Sequence, residues 1–295
     1  MRSRTVLIAL AAVAVSAPAA SADTLITPAP GARNLTANGG YLVWAQPTPA
    51  GRWRLAVRAP NGTVSTANIA DFGAPPAAQI GSTGFAVAGR RLLAVYSRCQ
   101  GTSAIAGCDV YAYDLRAGTE ERIAALSSRT YSETAPSLEL GRFAFVRRGG
   151  GPRPGLYAHT LGSGNSPRRL TTRLARETAT NGSRVAFTYN SSNGGGVAVR
   201  RLSGQGEVLV PISRQPTVPV SPLLTRYNAA WLLPAGRVQA TDRFAGSGGP
   251  FVLRVRNANR ALAPTTNSIA LKNDRTSAPY YLDADGIKIA APALF

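Results

Sequence analysis

The sequence is poor in the residues that carry metal and redox chemistry. Its 295 residues include one histidine, His159, two cysteines, and a single methionine at position 1. One His and two Cys exclude a multi-histidine zinc site, a haem ladder and a four-cysteine iron–sulfur cluster. A Ser-His-Asp or Cys-His enzyme would have to depend on His159 alone. Carboxylates are scarce as well: 14 Asp+Glu face 33 Lys+Arg, for a formal net charge of +19. Nothing in the composition calls for a cofactor. What is plentiful is Gly (30) and Pro (21), with few charges. That balance points to short strands and tight turns rather than long surface helices.

Residues 1–22 read as a secretory signal peptide. Arg2 and Arg4 form the charged n-region, Val6 to Val15 the apolar h-region, and Ala20-Ser21-Ala22 an A-x-A-like cleavage site. The apolar run is too short and too Ala-rich for a membrane span, and no second run reaches that length. The expected mature chain is therefore a single domain, 23–295, outside the cytoplasm. Cys99 and Cys108 suit that compartment. Gly101 and Gly107 make the segment between them turn-like, and an oxidising environment favours a disulfide there.

A recurring unit organises the rest: a Gly- or Asn-bearing turn, then a very apolar strand. The copies centre on residues 43, 94, 144, 186, 230 and 288, in segments such as Tyr41-Leu42-Val43-Trp44 and Arg142-Phe143-Ala144-Phe145. The sixth copy is taken as Asp285-Gly286-Ile287-Lys288-Ile289. The first five are followed by a strand of alternating character. Trp53, Leu55 and Val57 oppose Arg52, Arg54 and Arg58, and Phe251, Leu253 and Val255 oppose Arg254 and Arg256. The other members are 109–115, 156–161 and 196–202. A turn and a short strand complete each unit, as at 63–69, 121–126, 168–171 and 207–212. Counting the strand before each turn, there are four strands per unit. This period predicts an all-β, six-bladed β-propeller of four-stranded antiparallel blades. A ring of five or seven blades and a β-sandwich are the alternatives. The chain ends inside its last unit, while Thr24-Leu25-Ile26-Thr27 is an orphan strand. That segment is expected to complete the last blade and remove an exposed edge.

These units resemble the TolB-type, WD40-like propeller family. Arg184-Val185-Ala186-Phe187 and Arg142-Phe143-Ala144-Phe145 match its "IAF"-like strand. Gly155-Leu156-Tyr157-Ala158 and Asp109-Val110-Tyr111-Ala112-Tyr113 match its "LYV"-like strand. Pro167-Arg168-Arg169-Leu170-Thr171 matches its Leu-Thr ending, and Asp283-Ala284-Asp285-Gly286 its turn. The resemblance implies a six-bladed propeller outside the cytoplasm that serves as a protein-binding platform. TolB's N-terminal α/β domain has no room here, and the family offers no universal catalytic residues.

No G-x-S-x-G nucleophile motif and no P-loop are present. Gly162-Ser163-Gly164 and Gly246-Ser247-Gly248-Gly249 read as strand-joining loops. His159 lies in an alternating strand and reads as a structural histidine. The carboxylates Asp71, Asp109, Asp114, Glu133, Glu139, Glu177, Asp242 and Asp274 were weighed as glycosidase pairs, and no spacing singles out two of them. Asp283 and Asp285 read as a hairpin turn rather than a calcium loop, because downstream acidic ligands are missing. No catalytic, metal or cofactor-binding residue is assigned.

The arginines carry more information. Residues 142–260 hold 18 Arg and 3 acids, whereas 23–141 hold 10 Arg and 8 acids. Candidate anion-binding residues are Arg147, Arg148, Arg153, Arg168, Arg169, Arg173, Arg176, Arg200, Arg201, Arg254, Arg256 and Arg260. A guanidinium pairs bidentately with carboxylate or phosphate. A high-GC codon bias accounts for Arg over Lys, but not for the shortage of acids in one sector. The expectation is a secreted, non-catalytic, monomeric propeller that binds an extracellular or envelope protein or an anionic envelope polymer. Nucleic acid is disfavoured outside the cell. A propeller-type extracellular hydrolase, glycosidase or lactonase-like, is the alternative.

Overall fold

The computed structural model describes residues 23–73, 84–85, 91–99, 107–191, 194–210, 219–225, 228–241, 254–271, 278–291 and 294–295. The expected signal peptide and the residues Asp242, Asp274, 246–249 and 251–253 lie outside them. The first strand is β1 (Thr24–Pro28). Blade I comprises β2 (Arg33–Asn38), β3 (Tyr41–Pro47), β4 (Trp53–Arg58) and β5 (Val64–Thr66). Blade II has β6 (Gly84–Phe85), β7 (Leu92–Cys99), β8 (Cys108–Asp114) and β9 (Thr119–Arg122). Blade III has β10 (Ser132–Glu139), β11 (Arg142–Arg148), β12 (Gly155–Thr160) and β13 (Arg168–Thr171). Blade IV has β14 (Ala175–Asn181), β15 (Arg184–Ser191), β16 (Gly194–Arg201) and β17 (Val208–Leu209). Blade V has β18 (Val220–Leu224), β19 (Ala229–Leu233), β20 (Arg237–Thr241) and β21 (Val255–Asn257). Blade VI has β22 (Ser268–Ala270), β23 (Tyr280–Leu282) and β24 (Gly286–Ile289). Each blade is a four-stranded antiparallel sheet, and the six form a β-propeller.

The apolar second strands explain the ring. A strand buried on both faces sends alternate side chains in opposite directions. In β11, Phe143 and Phe145 pack toward blade II, while Ala144 and Val146 pack toward blade IV. In β3, Val43 and Ala45 face blade II, whereas Leu42 and Trp44 face blade VI. Six hydrophobic clusters result, one at each seam between neighbouring blades. Each blade thus buries against its neighbours what it cannot bury alone. The third strands are less one-sided than their alternation predicts. Ala56, between Arg54 and Arg58, is buried at the seam with blade VI.

β1 pairs antiparallel with β24 and is the outermost strand of blade VI. The two ends of the chain therefore close the ring in one sheet, as expected. Asp23 fastens this closure. Its carboxylate accepts hydrogen bonds from Arg260, from the Tyr281 hydroxyl at 2.7 Å and from the Ala291 amide at 2.7 Å.

Two repeat assignments need correction. The sixth apolar strand is β23, not Ile287–Ile289, which lies in the third strand of its blade. Only the outermost strand of blade VI is then missing from the chain's C-terminal part. The Asp285-Gly286 turn joins β23 to β24, so it resembled the unit's opening turn one hairpin too late. In blade V the third strand is β20, and Val255 belongs to the fourth strand, β21. Arg237-Val238-Gln239-Ala240-Thr241 carries one large aliphatic residue, so its alternation was too weak to register.

Candidate functional site

Strand direction alternates within each blade. The loops after the second strand and between blades therefore share one end of the propeller. The loops after the first and third strands share the other. At the first of these ends, on the seam of blades II and III, lies a cleft of about 430 Å³. Gly107 and Asp109 line it from the start of β8, and Arg122 from the end of β9. Residues 128–132 contribute from the interblade connection, and Arg148 from the end of β11.

The wall of the cleft is shaped by glycine. A Cβ at Gly150, where φ is +44°, would lie 2.0 Å from the Thr130 carbonyl oxygen. One at Gly151 would lie 2.1 Å from the Tyr131 ring. Only glycine allows the β11–β12 loop to close on the interblade connection. Tyrosines then pin the loop. The Tyr131 hydroxyl accepts from the Arg153 amide at 3.0 Å, and the Tyr157 hydroxyl donates to the Arg153 carbonyl at 2.6 Å. In the connection, Ser128 Oγ and Thr130 Oγ1 lie 3.0 Å apart.

A bulge re-aims the residues at this end of the inner strands. Register shifts occur between Thr134 and Ser137 in β10, and between Val220 and Leu223 in β18. Ala135 and Ser221 take positive φ there, at 47° and 49°. Bulges increase local twist and free a residue from the ladder. Ser221 uses that freedom to link blades: its amide donates to Glu177 of blade IV and its hydroxyl to the Ile269 carbonyl of blade VI. Thr178 likewise donates to the Ala135 carbonyl at 2.7 Å.

Behind the cleft sits Glu133, fully buried. It meets Arg147 at 3.3 Å and accepts from the Ser128 amide at 3.3 Å. Burial wins over the arginine, with Asp109 adding to it, and pushes this carboxyl up to about 7. The Arg147 guanidinium lies over the rings of Tyr131, Phe145 and Tyr157 and donates to the Leu126 carbonyl. Arg148 has neutral partners, Thr134 Oγ1 and the Ala175 carbonyl. Burial, then the neighbouring Arg176, hold it below the usual arginine range. Arg122 pairs with Asp109 at 2.9 Å. Arg129 is exposed and has no partner among the described residues.

The candidate arginines do not assemble on one face. Arg147, Arg148, Arg153, Arg173, Arg176 and Arg260 belong to the cleft end, while Arg168, Arg200, Arg201 and Arg254 lie toward the other. Arg169 and Arg256 lie within the outermost strands of their blades. Several are engaged by carboxylates. Arg173 and Arg200 both meet Glu207 at 2.9 Å, and Arg260 holds Asp23. Arg168 donates to the Leu202 carbonyl, and Arg256 lies over the Phe295 ring. Arg153, Arg168, Arg169, Arg176, Arg254 and Arg256 are exposed.

Of the carboxylates weighed as catalytic pairs, Asp109 and Glu133 lie near each other at the seam of blades II and III, and the others are dispersed. Asp114 caps the turn at Arg116 and Ala117 and pairs with Arg91. Glu139 accepts from Asn38 of blade I at 3.4 Å, reaching past blade II. Glu177 faces the seam of blades IV and V, and burial raises its pKa. Glu133 is at the seam of blades II and III. Asp71 lies in the connection after blade I, where its carbonyl receives Arg52. His159 is buried in β12, and burial, then Arg147, lower its pKa. Asp283 accepts from the Asp285 and Gly286 amides, and Lys288 bridges Asp283 and Asp285 at 2.9 Å each. That is a hairpin turn closed by a lysine. Cys99 and Cys108 stand opposite each other in the β7–β8 pair and form the disulfide. Among the described residues no helix is long and apolar enough to cross a membrane.

Sequence reasoning missed the cleft residues Ser128, Arg129, Thr130 and Tyr131. The signal available was the run Gly149-Gly150-Gly151 after Arg147-Arg148, which marks a close backbone approach.

No protein-family model matches the chain, and no curated protein matches it in sequence. In structure it is similar to a propeller in the crystal structure of the mitotic checkpoint complex, with a TM-score of 0.52 at 12% identity. That match covers 98% of this chain and 99% of the other. A putative TolB from Agrobacterium tumefaciens gives a TM-score of 0.42 at 14% identity, over 58% of this chain and 61% of that one. This chain thus spans less than two thirds of that TolB. A prolyl endopeptidase structure gives 0.47 at 11% identity, over 89% of this chain and 42% of the other. At these identities a likeness speaks for the fold alone. The chain is a six-bladed β-propeller with TolB-like and WD40-type propellers among its structural neighbours.

Proposed function

We propose that this propeller is a non-catalytic binding module that works outside the cytoplasm, on an anionic envelope polymer or an acidic protein surface. One observation carries the reading. In blades III to V the arginines outnumber the carboxylates able to neutralise them. Glu133 takes Arg147, Glu207 takes two arginines, and Glu177 is enclosed against the Ser221 amide. Arg153, Arg168, Arg169, Arg254 and Arg256 are left exposed around the ring with no carboxylate partner among the described residues. Unneutralised guanidiniums raise the local potential and attract polyanions in a salt-dependent way. The Cys99–Cys108 disulfide supports an oxidising compartment.

The test is retention of the full chain on an anionic polymer matrix. The protein should bind at low salt and elute as salt rises. Changing Arg153, Arg168, Arg169, Arg254 and Arg256 to Ser should shift elution to markedly lower salt. Unchanged elution defeats the reading. A hydrolase would need a carboxyl facing its substrate. Asp109 lines the cleft but is paired with Arg122, and Glu133, held at about 7, is buried behind it.

A further inference from the structure

We propose that the cleft between blades II and III is a discrete binding site for a sugar acid, a hydroxylated ring that carries a carboxylate. In it, Arg129 and Arg148 would receive the carboxylate, and Ser128, Thr130 and Asp109 the ring hydroxyls. The inference rests on the anion-binding reading and gives it a location and a ligand class.

Size comes first. A volume of about 430 Å³ falls within the range of small-ligand sites, and is large enough for one or two sugar rings. The lining then narrows the chemistry. Among the described residues Tyr131 is the only aromatic on it, and no aliphatic side chain joins it. An apolar ligand would find hydroxyls, guanidiniums and backbone there, and would lose their hydration without return.

Charge narrows it further. Among the described residues three arginines line the cleft against one carboxylate, Asp109, whose Oδ1 Arg122 holds. Arg129 is uncompensated among the described residues. Arg148 is a partly enclosed cation whose partners are neutral. Holding a guanidinium away from water without a counter-charge is unfavourable, and an anionic ligand would offset that cost. A carboxylate could accept from Arg129 and from the remaining donors of Arg148, both of which line the cleft.

Two arginines alone would accept phosphate equally well. Asp109 discriminates through hydrogen bonding: Arg122 meets its Oδ1, so Oδ2 is left to accept from a hydroxyl, which a fully ionised phosphate cannot offer. The Ser128 and Thr130 hydroxyls can donate or accept, which matches sugar hydroxyls. Tyr131, held in place by the Arg153 amide, completes the lining.

The experiment is calorimetric titration of the full chain with trigalacturonate at low salt, with maltotriose and inorganic phosphate as comparison ligands. Two surface variants test the site, Arg129→Gln and the double change Ser128→Ala with Thr130→Ala. Trigalacturonate should bind, and Arg129→Gln should weaken it about tenfold. The hydroxyl variant should weaken it too, and maltotriose and phosphate should bind far more weakly. The site assignment is overturned if both variants bind trigalacturonate like the wild type. If binding is instead lost in the five-arginine variant described above, the cleft is wrong and the surface reading stands. Phosphate binding as tight as trigalacturonate overturns the sugar-acid class. If trigalacturonate does not bind the wild type but the polymer matrix does, the inference fails alone. If neither binds, both fail.

Discussion

Removing the Asp23 carboxylate should loosen ring closure measurably. Asp23 lies one residue before β1 and holds residues from three later segments: Arg260, Tyr281 and Ala291. Its side chain is 18% exposed, and that of Arg260 28%. A charge-assisted hydrogen bond contributes about 1.5–3 kcal/mol when well shielded. Solvent screens part of this at a half-buried site. The set together should stabilise the fold by about 2–3 kcal/mol. For a domain of this size that corresponds to about 5–10 °C in Tm. The variant is Asp23→Asn, followed by circular dichroism on heating. The pH dependence gives an internal control. Burial alone would raise the Asp23 pKa, but the Ala291 amide, Arg260 and Tyr281 together hold it below the usual carboxylate range. A depressed carboxyl contributes stability above its unfolded pKa, about 3.9, and loses it as pH falls through the folded value. The gap between wild type and Asp23→Asn should therefore be full at neutral pH and close in strong acid. Tyr281→Phe should remove part of the same energy, so the double variant should lose less than the sum. A Tm unchanged at neutral pH, or a gap equally large in strong acid, would refute the latch.

Other expectations follow from the core and the buried charge. Glu133, held at about 7, keeps its proton in the folded state where the unfolded chain has released it. Its contribution therefore falls as pH rises from about 4.5 to about 7, by on the order of 3 kcal/mol. Denaturant titrations across that window should show the decline, and Glu133→Gln should flatten it; identical slopes would count against the burial argument. Trp231 is fully buried at the seam of blades IV and V. Trp231→Ala should cost about 3–5 kcal/mol by urea unfolding, and a loss under about 1 kcal/mol would mean that the seam is not packed as described.

The fold was legible because a propeller writes itself twice into a sequence. The period of the apolar strands marks the blades. Their lack of alternation, as in Leu92-Leu93-Ala94-Val95, marks strands buried on both faces. Closure was legible from an orphan strand at one end and an incomplete unit at the other. Blade VI was misregistered because Ile287 and Ile289 look more like a core strand than Tyr280-Tyr281-Leu282. The candidate site was scarcely legible. Its residues lie in an interblade connection, where no period applies, and they meet Arg148 only across a hairpin. Which arginines are engaged was hidden as well. Arg173 and Arg200 read as free cations in the sequence, yet they converge on Glu207, one from the connection between blades III and IV and the other from β16. Pairing of that kind is a property of the ring and not of any local pattern.

The central claim is that exposed arginines make this propeller a polyanion-binding module. The most direct test is the salt dependence of its affinity for a soluble polyuronate, measured for the wild type and for the five-arginine variant. The account predicts tight binding at low salt, a steep loss of affinity with rising salt, and a clearly shallower dependence in the variant. Binding that is absent at low salt, or that has the same salt dependence in both proteins, would contradict it.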